Sequence, residues 1–371
     1  MRVYAPSFFA DFRCTASDCK DNCCRAGWDI EIDQSTYDYY KTLGNGMCGH
    51  ITDEDGEHYI KQQGGQCPFL DENGLCSVVL GYGEEHISEI CTQHPRFYQW
   101  FGSYKEAGTG LCCEESARQW LTCKDGITFS DSFTDEPDDD LDFDPGLLSA
   151  VLAARKTLIN LLQSSELTLE QKLKALLIFG LNTQDFTDDD AAQGFSELAQ
   201  AFSDTDSVKS LVSELGRASS REDRLCACEQ LTQYLQGLDY MKDKLPSMLE
   251  SLKSRLPQLM QRAGQPENSC PEAEKQLCNI AVYNVYRYFI ECARGAEALP
   301  RLVFCILNVQ FVKLWDTLLL KDGQFSLDAQ IDAVKEFSQE IEYSDNMETV
   351  FEDVYTDNRL CAANLVKITE V

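Results

Sequence analysis

The spacing of apolar positions changes part-way along the chain. Trp28-Asp29-Ile30-Glu31-Ile32-Asp33 alternates apolar and acidic side chains, which predicts a short strand buried on one face. Around it, Gly44, Gly46, Gly49, Gly64, Gly65, Gly74, Gly81 and Gly83 interrupt short apolar runs, so loops dominate up to about residue 125. From about 146 the period becomes helical. Thr168 and Gln171 have the spacing of a capping box, ahead of Leu169, Leu173, Leu176 and Leu177, with Gly180 as a stop. A second helix is expected over about 272–293, with Leu277, Val282, Val285, Phe289 and Cys292 on one stripe. A third carries Leu302, Val303, Ile306, Val309 and Leu314. Pro246, Pro257, Pro266, Pro271 and Pro300 fall near expected breaks.

These patterns predict a mainly α protein: a loop-rich, cysteine-cluster metal module over 1–125, an acidic linker over 126–145, and a domain of eight to ten helices over 146–371. The linker segment DSFTDEPDDDLDFDP holds eight acidic residues and two prolines, which suits a chain that wraps over a surface or stays mobile. The most apolar stretch, Leu299 to Leu320, contains Arg301, Asn308, Lys313 and Asp316 and reads as a buried amphipathic helix, so no membrane span is expected. The N-terminal apolar run is cut by Pro6 and Asp11 and lacks the pattern of a signal peptide, which points to the cytoplasm.

The formal net charge of −30 disfavours nucleic acid and anionic membranes as partners and favours a basic, lysine-bearing protein. Cysteine adds the chemistry. Eleven of the 18 cysteines, and all four histidines, precede residue 124. In a reducing compartment, clustered thiols bind metal more often than they pair. Cys14-x4-Cys19-x3-Cys23-Cys24 is the densest group, followed by Cys67, Cys76, Cys91 and Cys113. These eight are the candidate ligands, enough for two four-thiolate sites. Thiolates suit zinc and iron–sulfur clusters alike. The lack of paired C-x2-C knuckles favours an iron–sulfur cluster, of the 4Fe-4S type, with zinc as the alternative. Cys48, Cys112 and Cys123 read as ordinary buried cysteines, as do Cys226, Cys228, Cys270, Cys278, Cys292, Cys305 and Cys361. Cys226 and Cys228 sit in an expected helix, where positions two apart face different sides.

The segments FRCTASDCKDNCCRAGWDIEID, CPFLDENGLCSV and ISEICTQHPRF resemble the flagellin lysine-N-methylase family, within a wider group of zinc- or iron-chelating cysteine-cluster proteins. GLCCEESARQWL is similar to that family's Leu-Ser-Cys-Pro-Glu-Ala-Ala-Arg segment: Cys113, Glu115, Ala117 and Arg118 match, whereas Cys112, Glu114 and Ser116 depart. The helix NIAVYNVYRYFIECA resembles the family's Asn-Tyr aromatic helix. The resemblance implies methyl transfer from S-adenosylmethionine to lysine amines of flagellin. An amine attacks a methyl carbon only after losing its proton, and a carboxylate or phenol in a desolvated pocket serves that step. Asp29, Asp33, Glu115 and Tyr283 are the catalytic candidates, and Trp28 and Arg96 the cofactor-binding candidates. Gly44-Asn45-Gly46, Gly81-Tyr82-Gly83 and Gly108-Thr109-Gly110 lack a strand–Gly-x-Gly–helix setting, which argues against a Rossmann methyltransferase. The cysteine spacing departs from the C-x3-C-x2-C of radical S-adenosylmethionine enzymes, so direct displacement is expected. The competing reading is a non-enzymatic metal or electron carrier, or an adaptor.

Overall fold

A computed structural model of the chain describes residues 1–20, 22–28, 30–44, 46–139, 143–215, 218–260 and 270–371. The alternating segment forms a strand, and it is one of seven among the described residues. They are β1 Arg2–Pro6, β2 Ile30–Ile32, β3 Ile51–Glu54, β4 Glu57–Ile60, β5 Arg96–Phe101, β6 Tyr104–Thr109 and β7 Phe129–Phe133. Short helices α1 Gln34–Leu43, α2 Ser77–Tyr82, α3 Glu89–Gln93 and α4 Glu114–Leu121 lie between them. Two sheets result, ordered β2-β4-β3 and β5-β6-β1-β7, the second with β1 parallel to β6 and antiparallel to β7. The small sheet has its own modest core of Ile32, Tyr40, Met47, Ile60, Cys67, Phe69 and Val78. So small a core calls for staples.

The second sheet belongs to a larger core. Phe101, Leu111 and Trp120 share one apolar cluster with Val151, Leu158, Tyr283 and Phe304 of the helical region. The seam is locked by a buried ion pair: the Arg155 guanidinium donates to Glu106 of β6 and to the Tyr286 carbonyl, and the Tyr286 hydroxyl donates to the carbonyls of Tyr4 and Ala107. The acidic stretch is bound down rather than loose where it is described. Asp131 on β7 pairs with Arg2, Glu136 pairs with Lys105, and Asp144 caps the following helix.

From there the chain is helical: α5 Pro145–Gln163, α6 Leu169–Leu181, α7 Ala191–Ala201, α8 Thr205–Ser213, α9 Arg221–Gln236, α10 Lys244–Met260, α11 Pro271–Tyr288, α12 Ala298–Asp322, α13 Leu327–Phe337, α14 Asn346–Thr356 and α15 Ala362–Thr369. The capping box forms as expected, Thr168 accepting from Gln171 N–H while the Gln171 side chain accepts from Thr168 N–H. Gly180 does not stop α6. It lies inside the last turn, where a Cβ would come within 2.9 Å of Leu299, so it serves the close approach of α6 to α12. Pro257 sits inside the last turns of α10 rather than at a break, and Pro246, Pro271 and Pro300 occupy first turns, where the missing N–H costs nothing. The helix α12 is not amphipathic. It is long and apolar enough to cross a membrane by length and composition, yet it is buried against α6, α10, α11, α13 and α14. A five-residue π-turn, Ser338–Glu342, continues α13.

Candidate functional site

None of the eighteen cysteines, all among the described residues, is joined in a disulfide. The candidate thiols lie close together although their sequence positions span a hundred residues. Cys24 is joined to Cys67 through the Cys67 N–H, which donates to the Cys24 carbonyl at 2.8 Å. Burial pushes the Cys67 thiol up to about 12, helped by its neighbours Cys24, Cys91 and Cys76. Cys91 neighbours Cys24 and Cys76, and burial raises it to about 11. Cys113 neighbours Cys19 and Cys14, and burial raises it to about 11 while N–H groups of Ser116 and Glu115 oppose the rise. The Cys23 and Cys24 thiols hydrogen-bond each other, and Cys23 also neighbours Cys91 and Cys113. Among the described residues no three Cys, His, Asp or Glu side chains stand close enough to share a single ion. The donors are nonetheless soft sulfur atoms, and Cys76 and Cys113 accept backbone N–H groups, a donor chemistry that suits iron–sulfur clusters and zinc alike.

Beside this region lies a buried polar cluster. The π-turn faces Glu342 inward, a placement such turns often give to functional groups. The Glu342 carboxylate accepts from the Tyr283 and Tyr288 hydroxyls and from Ser338, and it pairs with Arg287 at 2.7 Å. Arg287 also donates to the Tyr343 hydroxyl at 2.8 Å and lies over the Phe97 ring. Burial raises Tyr283, Tyr288 and Tyr343 well above an ordinary phenol, with Arg287 opposing it. Gly110 lets the backbone pass this cluster, since a Cβ there would meet the Tyr343 hydroxyl at 2.0 Å. The Gln339 side chain ties the π-turn to the Cys112 carbonyl at 2.9 Å, one residue before the thiol of Cys113.

The outer wall of the cluster is aromatic. Trp28 stacks on Tyr343 with centroids 5.8 Å apart and meets the His94 ring at a tilt of 56°, centroids 5.4 Å apart. Burial lowers His94 to about 4, so its imidazole is neutral at neutral pH. Trp28 Nε1 and His94 Nε2 are buried with no hydrogen-bond partner among the described residues.

Of the sequence candidates, Tyr283 and Trp28 therefore meet at one place. Asp29 lies outside the described residues. Asp33 caps α1: burial works against its ionisation, but hydrogen bonds from Ser35, Thr36 and the Glu89 N–H hold it well below the usual carboxylate range. Glu115 stands in the first turn of α4, 3.9 Å from Arg118. Arg96 lies over the Phe12 ring and donates to the Thr92 carbonyl. Cys112 is buried, Cys48 and Cys123 are half-buried, and Cys226 and Cys361 are exposed rather than packed away. Sequence reasoning passed over Arg287, Tyr288, Glu342, Tyr343 and His94. The run Tyr286-Arg287-Tyr288, an arginine between aromatics in an otherwise apolar helix, was the available signal. Gly108 and Thr109 of the Gly108-Thr109-Gly110 run are the last residues of β6, and α4 begins only at Glu114, so the run does not open a helix, as expected. The space above its glycines is filled by Phe97, Tyr343 and Arg287, so it is no phosphate cradle.

Thiols gathered by the small sheet, joined to a helical body with a buried phenol–carboxylate–guanidinium cluster, define a thiol-rich α-helical protein with an internal polar site. Residues 155–366 match the FliB lysine N-methylase C-terminal domain. That is more than half of the sequence, and the chain belongs to this family. Two relatives named "Lysine-N-methylase", from Salmonella choleraesuis (strain SC-B67) and Salmonella typhimurium (strain LT2), are each 27% identical over 223 residues, covering 54% of this chain and 52% of theirs. "Flagellar biosynthetic protein FliU" of Salmonella muenchen is 27% identical over 140 residues, 35% of this chain and 82% of that protein. The chain spans about half the length of the lysine-N-methylases it matches. No solved structure matches.

Proposed function

We propose that this chain is a cytoplasmic protein-lysine N-methyltransferase that moves methyl groups from S-adenosylmethionine to lysine side chains of flagellin or a related flagellar protein, with an iron–sulfur centre on its N-terminal thiols. Family membership and the names of the relatives support lysine as the target. The observation that carries the reading is the Trp28–His94–Tyr343 wall over the Arg287–Glu342 cluster. Both species in the reaction are cations, a sulfonium donor and a lysine ammonium, and aromatic faces hold such cations where water is excluded. A neutral His94 adds no repulsion there. An apolar wall also lowers the pKa of an entering lysine, which favours the free amine that attacks. Glu342 and its phenols fix the charge balance behind the wall, and Arg287 orients Tyr343 beneath Trp28.

Cys14, Cys19, Cys23, Cys24, Cys67, Cys76, Cys91 and Cys113 are the residues that would hold the cluster. A bound cluster supplies a staple for the small sheet and an iron site able to ligate the cofactor.

The test is incubation of anaerobically purified, metal-replete protein with flagellin and S-adenosylmethionine labelled in the methyl group. Label recovered as methyl-lysine supports the reading. Unlabelled lysine in every fraction, from protein whose metal content is verified, rules it out.

A further inference from the structure

Away from the N-terminal thiols and the buried cluster, an amine and a thiol face each other between two helices. The Lys172 Nζ of α6 donates to the Cys278 Sγ of α11 at 3.4 Å, and each residue is only 7% exposed. Buried lysines ordinarily face carboxylates, because an enclosed ammonium without a counter-charge is costly. Lys174, two residues on, does so, pairing with both Glu170 and Glu370. Lys172 forms no ion pair among the described residues, and the Cys278 thiol is its hydrogen-bond partner there. The contact is held in register from one turn away. Glu274, four residues before Cys278, accepts at 3.2 Å from the N–H of Leu169, three residues before Lys172. Burial raises the Cys278 thiol, and Lys172 opposes the rise. Cys305, by contrast, is fully enclosed, and its thiol donates to the Ala281 carbonyl.

We propose that Lys172 and Cys278 form an oxidation site, at which hydrogen peroxide joins the thiol to the amine as a sulfenamide. In the first step one peroxide oxygen passes to Sγ, the O–O bond breaks, water leaves and a sulfenic acid remains. In the second, the Nζ lone pair of the free amine attacks the sulfur, an S–N bond forms and the S–O bond breaks. The departing hydroxide takes a proton from the amine and leaves as a second water. Sulfur gives up two electrons and peroxide accepts them, so the joined pair is lighter by two hydrogen atoms. The slight exposure of both residues admits a molecule as small as peroxide. Their enclosure keeps larger thiols away from the sulfenic acid while the amine is already in contact with it, which favours the internal reaction. The bond ties α6 to the helix that carries Tyr283 and Arg287, between residues 106 positions apart. Closing so long a loop restricts the unfolded chain and stabilises the fold. The proposal is independent of methyl transfer and of any metal.

The full chain, purified without oxygen, is treated with hydrogen peroxide, its remaining thiols are alkylated, and its protease fragments are weighed. The expected result is a fragment pair joining Lys172 to Cys278, lighter by two hydrogen atoms than the sum of its parts and separated by dithiothreitol. Lys172→Arg keeps the positive charge and removes the amine. In that variant the joined pair should be lost, and Cys278 should be trapped by dimedone as a sulfenic acid. A Cys278 that stays a free thiol in the unaltered chain, or that carries oxygen without joining Lys172, overturns the proposal. So does a bond from Cys278 to any other residue, or a joined pair that retains an oxygen atom. The fragment masses of the unaltered chain decide the matter even where the variant fails to fold, and they are read on these two segments alone, so damage to a metal on the N-terminal thiols leaves the result intact.

Discussion

Glu342 shows what a single buried charge demands. Its carboxylate is fully enclosed, and three hydroxyls and Arg287 satisfy it. Removing one partner of such a pair leaves the other charge stranded, at about 3–5 kcal/mol. Glu342→Gln is therefore expected to destabilise the fold by that amount in chemical denaturation, and Tyr288→Phe, which deletes one hydroxyl, by about 1 kcal/mol. Gly110→Ala forces a methyl group onto the Tyr343 hydroxyl and is expected to cost about 1–3 kcal/mol in the same measurement. Asp316 gives a pH signature. Burial inside α12 raises it to about 7, above its unfolded value of 3.8, while Gln330 opposes the rise. The folded protein then holds a proton that the unfolded chain has released, so stability is full below about pH 4 and declines as pH rises to about 7. Asp316→Asn should be the more stable form at pH 8, by about 4 kcal/mol at most, with the margin vanishing near pH 4. A constant margin across that range contradicts the assignment.

Among the elements, the π-turn positions the site. Five consecutive buried residues, Ser338 to Glu342, carry one extra residue per turn, and that offset aims Glu342 at Tyr283 while Gln339 reaches Cys112. Deleting Ile341 restores α-helical register and turns Glu342 and Tyr343 by about 100° relative to the preceding helix. The expected outcome is unchanged helical content by circular dichroism with methyl transfer abolished. Local patterns announced the helices well: the Thr168–Gln171 box and the stripe over 272–293 depend on residues three or four apart. The π-turn and the parallel β1–β6 pairing had no such local mark, because their partners lie a hundred or more residues away. For the same reason the cysteines were legible as candidate ligands while their arrangement in space was not, and Tyr283 was singled out without Glu342, Arg287 or Tyr343. Apart from β2, whose alternation was read, the strands were missed because four to six residues carry too short a pattern to read.

At the scale of the whole molecule, a net charge of −30 surrounds an interior that holds paired charges. Such a field draws in a basic segment and is screened by salt. The kcat/KM for a lysine-rich substrate should fall by about tenfold from low to physiological ionic strength, with kcat unchanged. An equal fall in kcat would place the salt effect in the chemistry instead. Loss of the proposed metal should act on the small sheet first, since its core is slight and Cys24, Cys67, Cys76 and Cys91 come from separate stretches of chain, whereas the helical body has a large core of its own. Chelation is thus expected to raise hydrogen exchange over 14–91 and to leave α11 and α12 protected.

The most direct measurement is the mass of flagellin lysine peptides from cells producing flagellin alone, with this chain, and with its Arg287→Ala, Tyr343→Phe form. The account predicts peptides heavier by whole methyl groups only with the unaltered chain, and little or no increase with the altered one. Flagellin of unchanged mass beside abundant, metal-loaded protein, or full methylation by the altered chain, contradicts it.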